Sequence, residues 1–108
     1  MTKKIAIIED DEAISQMYGF KFKAEGFEVE SAENGIKGLE LIEKMKPDII
    51  LLDIMMPEMN GDEMLAKMRK TNWGRKIKVV VLTNLGEEEI PKSVSKLGVL
   101  DIIVKAQY

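Results

Sequence analysis

Apolar and polar positions alternate along this chain between two periods. Lys4–Ile8, Ile49–Leu52, Ile77–Leu82 and Leu100–Val104 are short, branched and nearly unbroken in apolar residues. Runs of that kind suit strands buried on both faces of a parallel sheet. Phe27–Ser31 alternates and predicts one more strand. Between these runs the apolar residues fall at helical spacing. Ala13–Ala24 carries Ile14, Met17, Tyr18 and Phe22 on a common stripe, with Asp11 as N-cap and Gly26 as the glycine that ends the helix. Asn34-Gly35 marks a turn, after which Ile36, Leu39, Ile42 and Met45 define a second helix that Pro47 stops. Met64, Leu65 and Met68 predict a third helix after Gly61, closed by Asn72-Trp73-Gly74. A less regular pattern from Glu87 to Lys96, with Pro91 suited to a first turn, predicts a fourth. Strands that alternate with helices imply right-handed crossovers and a parallel sheet covered on both faces.

Composition narrows the chemistry. The 108 residues suffice for one domain with a single core. A formal net charge of −3 offers no bulk attraction for nucleic acid. The chain has no cysteine, hence neither disulfides nor thiolate-bound metal, and no histidine, hence neither the usual general base nor the commonest zinc ligand. The apolar run that follows Met1–Lys4 is too short for a signal peptide or membrane span, which points to the cytoplasm. Chemistry must rest on carboxylates, hydroxyls, lysines, backbone amides and a hard metal ion.

Such groups stand at the strand ends. Glu9 and Asp10 follow the first strand, Asp53 the third, Thr83 the fourth and Lys105 the fifth. In a parallel sheet these ends share one edge, where open α/β sheets bind ligands. Clustered carboxylates repel unless one is protonated or all share a cation. With oxygen ligands alone the cation is Mg²⁺, which keeps several waters. A free carboxylate beside the metal can form an acyl phosphate, its charge offset by the metal, an ammonium and a hydroxyl. Each residue also has a plainer explanation. Glu9–Glu12 suits a solvated helix start, Asp53 a strand terminator, Thr83 a cap for the fourth helix, and Lys105 a surface charge. Met55, Met56 and Met59 read as packing or loop residues rather than a soft-metal site.

Taken together, IIEDDE at 7–12, IILLDIMMPEMNG at 49–61, VVLTN at 80–84 and VK at 104–105 resemble the receiver domains of bacterial two-component response regulators. Order and spacing match across essentially the whole chain. The resemblance implies a flavodoxin-like, doubly wound α/β fold with five parallel strands in the order 2-1-3-4-5. It implies that Asp53 is the phosphoacceptor, that Asp10 and Asp53 ligate Mg²⁺ directly, that Glu9 acts through a water, and that the Met55 carbonyl completes the metal shell. Thr83 would hydrogen-bond the phosphoryl group and Lys105 would pair with it. The donor would be a phosphohistidine on a sensor histidine kinase or phosphotransfer protein, with an output partner that the sequence does not identify.

The sequence departs from that family in several places. Ala106 stands where proline usually follows the lysine, and Ile102 where an aromatic residue is common. Residues 1–108 read as a receiver domain that stops before its final helix. The expectation is therefore truncation, or a second chain, such as a homodimer partner, covering the face around the fourth and fifth strands. Two other functions compete with the phosphorylation switch: a degenerate receiver serving as an interaction module, and a metal-dependent phosphatase. The second needs an acid two residues after Asp53, where Met55 stands.

Overall fold

The computed structural model describes residues 3–53, 61–83 and 99–104, with backbone alone for 83 and 99–104. Its elements are β1 (Lys4–Ile8), α1 (Glu12–Ala24), β2 (Glu28–Ala32), α2 (Gly35–Met45), β3 (Ile49–Asp53), α3 (Gly61–Arg69), β4 (Lys78–Thr83) and β5 (Val99–Val104). The strands form one sheet in the order β2-β1-β3-β4-β5, parallel throughout. This flavodoxin-like arrangement is the expected one. The fourth helix over 87–96, and the expectation of a missing helix after Lys105, fall outside the described residues.

Strand periodicity sorts the core into two layers. Ile5 and Ile7 face one side with Leu51 and Leu82, packed under α1 through Tyr18, Ile14 and Phe22. Ala6, Ile8, Ile50, Leu52, Val79 and Val81 face the other side, under Ile42 and Met45 of α2 and Met64, Leu65 and Met68 of α3. The helices take opposite faces because the chain reverses direction across the sheet. It steps outward from β1 to β2, then returns past β1 to β3, and a right-handed crossover changes face when its direction changes. The reversal leaves a crevice beyond the carboxyl ends of β1 and β3.

Capping sets the helix ends. Asp11 accepts a hydrogen bond from the Ile14 amide at 3.2 Å, and Asn34 accepts one from Lys37 at 2.9 Å. At the end of α1 the Gly26 amide donates to the Lys23 carbonyl and the Phe27 amide to that of Phe22. Gly26 has φ of 95° there, and Phe27 meets Phe22 edge-on at 6.0 Å. That bond pair and its hydrophobic contact form a Schellman cap, which requires the left-handed residue that glycine supplies.

Two residues of the expected helical stripes lie elsewhere. Met17 is 50% and Ile36 45% exposed. The sheet-facing side of α1 is instead Ser15, Tyr18 and Gly19, and that of α2 is Gly35, Gly38, Ile42 and Met45. At ~100° per residue Met17 points about 160° away from both Ser15 and Gly19, and Ile36 equally far from Gly38. Small residues, invisible to an apolar count, carry the close approach. Strand ends also shift by a residue, β2 beginning at Glu28, β4 at Lys78 and β5 at Val99.

A candidate acidic metal and phosphoacceptor site

The crevice places the acids together through strand register. Ile8 pairs with Leu52, so Glu9 and Asp53 follow in one row on adjacent strands. Both continue the parity of the α1 side, Ile5-Ile7-Glu9 beside Ile49-Leu51-Asp53. Glu9 and Asp53 are each only 2% exposed, whereas Asp10, the next residue out, is exposed. Carboxylate oxygens of Glu9, Asp10 and Asp53 all lie within 4.8 Å of one another.

Local bonds hold this group in place. The Glu9 amide donates to the Ala32 carbonyl at 3.0 Å, extending the β1–β2 ladder by one residue. The Asp11 amide donates to Glu9 Oε1 at 3.2 Å, turning the chain sharply from β1 into α1. Asp11, read from the sequence among the acids, is thus spent on the helix and is not part of the cluster. At the opposite edge the Lys4 amide donates to Asp48 Oδ2 at 2.8 Å, and the Asp48 amide to the Lys4 carbonyl at 2.9 Å. These bonds pin the starts of β1 and β3 and so help fix the register that aligns Glu9 with Asp53.

Carboxylates this close, two of them buried, raise each other's free energy when all are ionised. A hard divalent cation removes that cost, and an all-oxygen donor set suits Mg²⁺. The three side chains therefore fit the ion. Backbone register also brings Thr83 to the rim of the crevice: Asp53 pairs with Leu82, so Thr83 lies one step further out, level with Val104 on β5. Met55, Leu85, Lys105 and Ala106 lie outside the described residues, as do the side chains of Thr83 and Ile102.

A groove of about 750 Å³ opens beside Glu9 and Asp10, between the start of α1 and the exposed side of α2. Lys37 lines it and is ion-paired with Glu33 one turn away. The hydrogen bond and then the charge of Lys37 hold the Glu33 carboxyl below its ordinary pKa. Arg69 is a structural cation that sequence reading passed over. Its Nη1 donates to the Gly74 carbonyl at 2.9 Å and the Ile77 carbonyl at 2.7 Å, and burial lowers its pKa. Among the described residues no helix is long and apolar enough to cross a membrane.

Comparison with known proteins agrees with this geometry. A family model for the response regulator receiver domain matches residues 5–107. The chain is 32% identical over 105 residues to sporulation initiation phosphotransferase F of Bacillus subtilis, covering 97% of this chain and 83% of that protein. It is also 32% identical over 105 residues to the phosphate regulon transcriptional regulatory protein PhoB of Rhizobium meliloti, of which it spans 46% against 97% of its own length. Among solved structures, chemotaxis protein CheY4 of Vibrio cholerae superposes with a TM-score of 0.90 at 27% identity, covering 97% of this chain and 88% of that one. The chain belongs to the response regulator receiver domain family, the phosphoacceptor signalling switches of two-component systems.

Proposed function

We propose that Asp53 is the phosphoacceptor of this switch, taking a phosphoryl group from a phosphohistidine on a sensor histidine kinase or histidine phosphotransfer protein. The observation that carries the assignment is the buried row of Glu9 and Asp53, with Asp10 completing a carboxylate cluster inside 4.8 Å. Asp10 and Asp53 would hold Mg²⁺ directly, Glu9 through a water, with the Met55 backbone carbonyl as a further ligand. When bound, the ion supplies positive charge that offsets the phosphoryl oxygens.

In the transfer an Asp53 carboxylate oxygen attacks phosphorus while the phosphorus–nitrogen bond of the donor breaks. The imidazole leaves with the bonding pair and takes its proton from solvent. The Thr83 hydroxyl donates to a phosphoryl oxygen and the Lys105 ammonium pairs with another. A phosphorylated side chain carries roughly −1.5 to −2 of charge near neutral pH. Drawing Thr83 and Lys105 inward would shift the population of surface states around β5 that an output partner reads. The protein is then a cytoplasmic switch whose own chemistry is limited to phosphotransfer and slow hydrolysis. Ala106 and Ile102 alter the usual lysine anchor and aromatic relay, so the readout rests on other parts of that surface.

Incubation with a small phosphodonor and Mg²⁺, read by intact mass, tests the proposal. Uptake of one phosphoryl group supports the switch. Turnover of external phosphate esters would instead indicate a phosphatase, and no modification an interaction module. Mg²⁺ alone is expected to stabilise the fold, by about 1.4 kcal/mol at tenfold over its Kd; a thermal midpoint indifferent to Mg²⁺ and to chelator would contradict the metal assignment.

Lifetime gives a further prediction. Met55 and Leu85, two residues beyond Asp53 and Thr83, are apolar and cannot orient an attacking water. The Met55→Asn, Leu85→Glu double variant is expected to lose its phosphoryl group faster, on the order of tenfold, or about 1.4 kcal/mol of barrier. Equal decay of the two phosphoproteins would show that these positions do not gate water.

A further inference from the structure

The phosphoryl chemistry makes no use of a recess of about 360 Å³ between α1 and the edge strand β2. Ile7 and Val29 give it an apolar floor, and Gly19, which has no side chain to occupy it, is part of its lining. A methyl group there would lie 3.8 Å from Val29 Cγ1 and 3.9 Å from Ile7 Cδ1, ordinary contact distances. Phe20 stands on the rim, 79% exposed, with Met17 one turn away and 50% exposed. The solvent side of an amphipathic helix is ordinarily polar. Here it carries an aromatic ring beside a recess whose floor is apolar and whose walls include Ser15, Gln16 and Ser31.

We propose that two copies of this chain pair through this patch, the Phe20 ring of each entering the Gly19 recess of the other. A surface that bears both knob and hole is complementary to itself about a two-fold axis, as an isologous dimer requires. Aromatic side chains seated in pockets are also the usual energetic anchors of interfaces. The rims carry opposite charge, Lys23 on the α1 side and Glu30 on the β2 side. In the proposed pairing the lysine of each copy lies toward the glutamate of the other. One helix face and one strand edge make a small contact, so the dimer is weak and concentration-dependent. It uses the α1–β2 side of the domain, away from β4 and β5.

Sedimentation equilibrium of the chain up to about 1 mM tests this. The mass is expected to rise from one chain toward two with concentration. Phe20→Ala, which removes the knob, and Gly19→Leu, which fills the hole, are each expected to weaken association by about tenfold or more. Circular dichroism checks that each variant is folded, and Phe20→Ala decides the matter if Gly19→Leu does not fold. A chain that stays monomeric throughout, or a dimer that a folded variant leaves intact, overturns the proposal.

Discussion

An Asp53→Asn chain is expected to take up no phosphoryl group from a small phosphodonor and Mg²⁺, and to lose at least half of the stabilisation that Mg²⁺ gives the parent. The amide keeps the size and shape of the carboxylate, so the buried end of β3 has no steric reason to rearrange. What disappears is the nucleophile and one of three charges whose oxygens lie within 4.8 Å. At an effective dielectric near 20, unit charges about 4 Å apart interact by about 4 kcal/mol, an upper bound that the exposed Asp10 reduces through screening. A Mg²⁺ ion held by these carboxylates would offset that charge, and with one charge and one ligand gone it would be held more weakly. About 1.4 kcal/mol of metal stabilisation corresponds to a midpoint shift of several degrees in a domain of this size, so halving it is measurable by thermal unfolding. Phosphoryl uptake by the variant, or a Mg²⁺ response equal to the parent's, would move the acceptor or the metal away from Asp53.

Gly74→Ala should cost roughly 2–4 kcal/mol of stability while leaving the acidic site chemically intact. A Cβ at this position would fall 2.4 Å from the Met68 carbonyl oxygen, 2.5 Å from Met68 Cγ and 2.6 Å from Thr71 Oγ1. The first obstacle is backbone at the end of a helix and cannot rotate away. The turn is also fully committed: the Gly74 amide donates to Thr71 Oγ1 at 2.8 Å, and that hydroxyl donates to the Met68 carbonyl at 2.7 Å. Arg69 holds the Gly74 and Ile77 carbonyls from the other side. Moving Gly74 disturbs every one of these bonds and the entry into β4. Gly19→Ala is the control, since a methyl there meets only ordinary contacts and alanine favours a helix by about 1 kcal/mol over glycine. Urea unfolding of the two variants should therefore move in opposite directions. A Gly74→Ala midpoint at or above the parent's would show that the turn relaxes more freely than its bonds suggest.

Most of the architecture was legible because two periods dominate the chain. Unbroken branched runs at Lys4–Ile8 and Ile49–Leu52 suit buried parallel strands, and β1 and β3 fall where expected. Gly26 and Asp11 announced the ends of α1 correctly because their roles are local. The stripes failed at Met17 and Ile36, where helix phase was set by Ser15, Gly19 and Gly38, small residues that an apolar count does not weigh. The acidic site was legible as a list of strand ends. Its depth was not: Glu9 and Asp53 are buried while Asp10 is exposed, a division that follows from register across strands far apart in sequence. Arg69 looked like one basic residue among many, since nothing local marks a guanidinium that will reach a turn five to eight residues on.

The most direct test is to locate the phosphoryl group. The chain is incubated with a small phosphodonor and Mg²⁺, the acyl phosphate is trapped by borohydride reduction, and the modified residue is identified by peptide mass spectrometry. The expected result is a single modification at Asp53 that requires Mg²⁺. Modification at another carboxylate, or none with the metal present, would contradict the assignment of Asp53 as the acceptor.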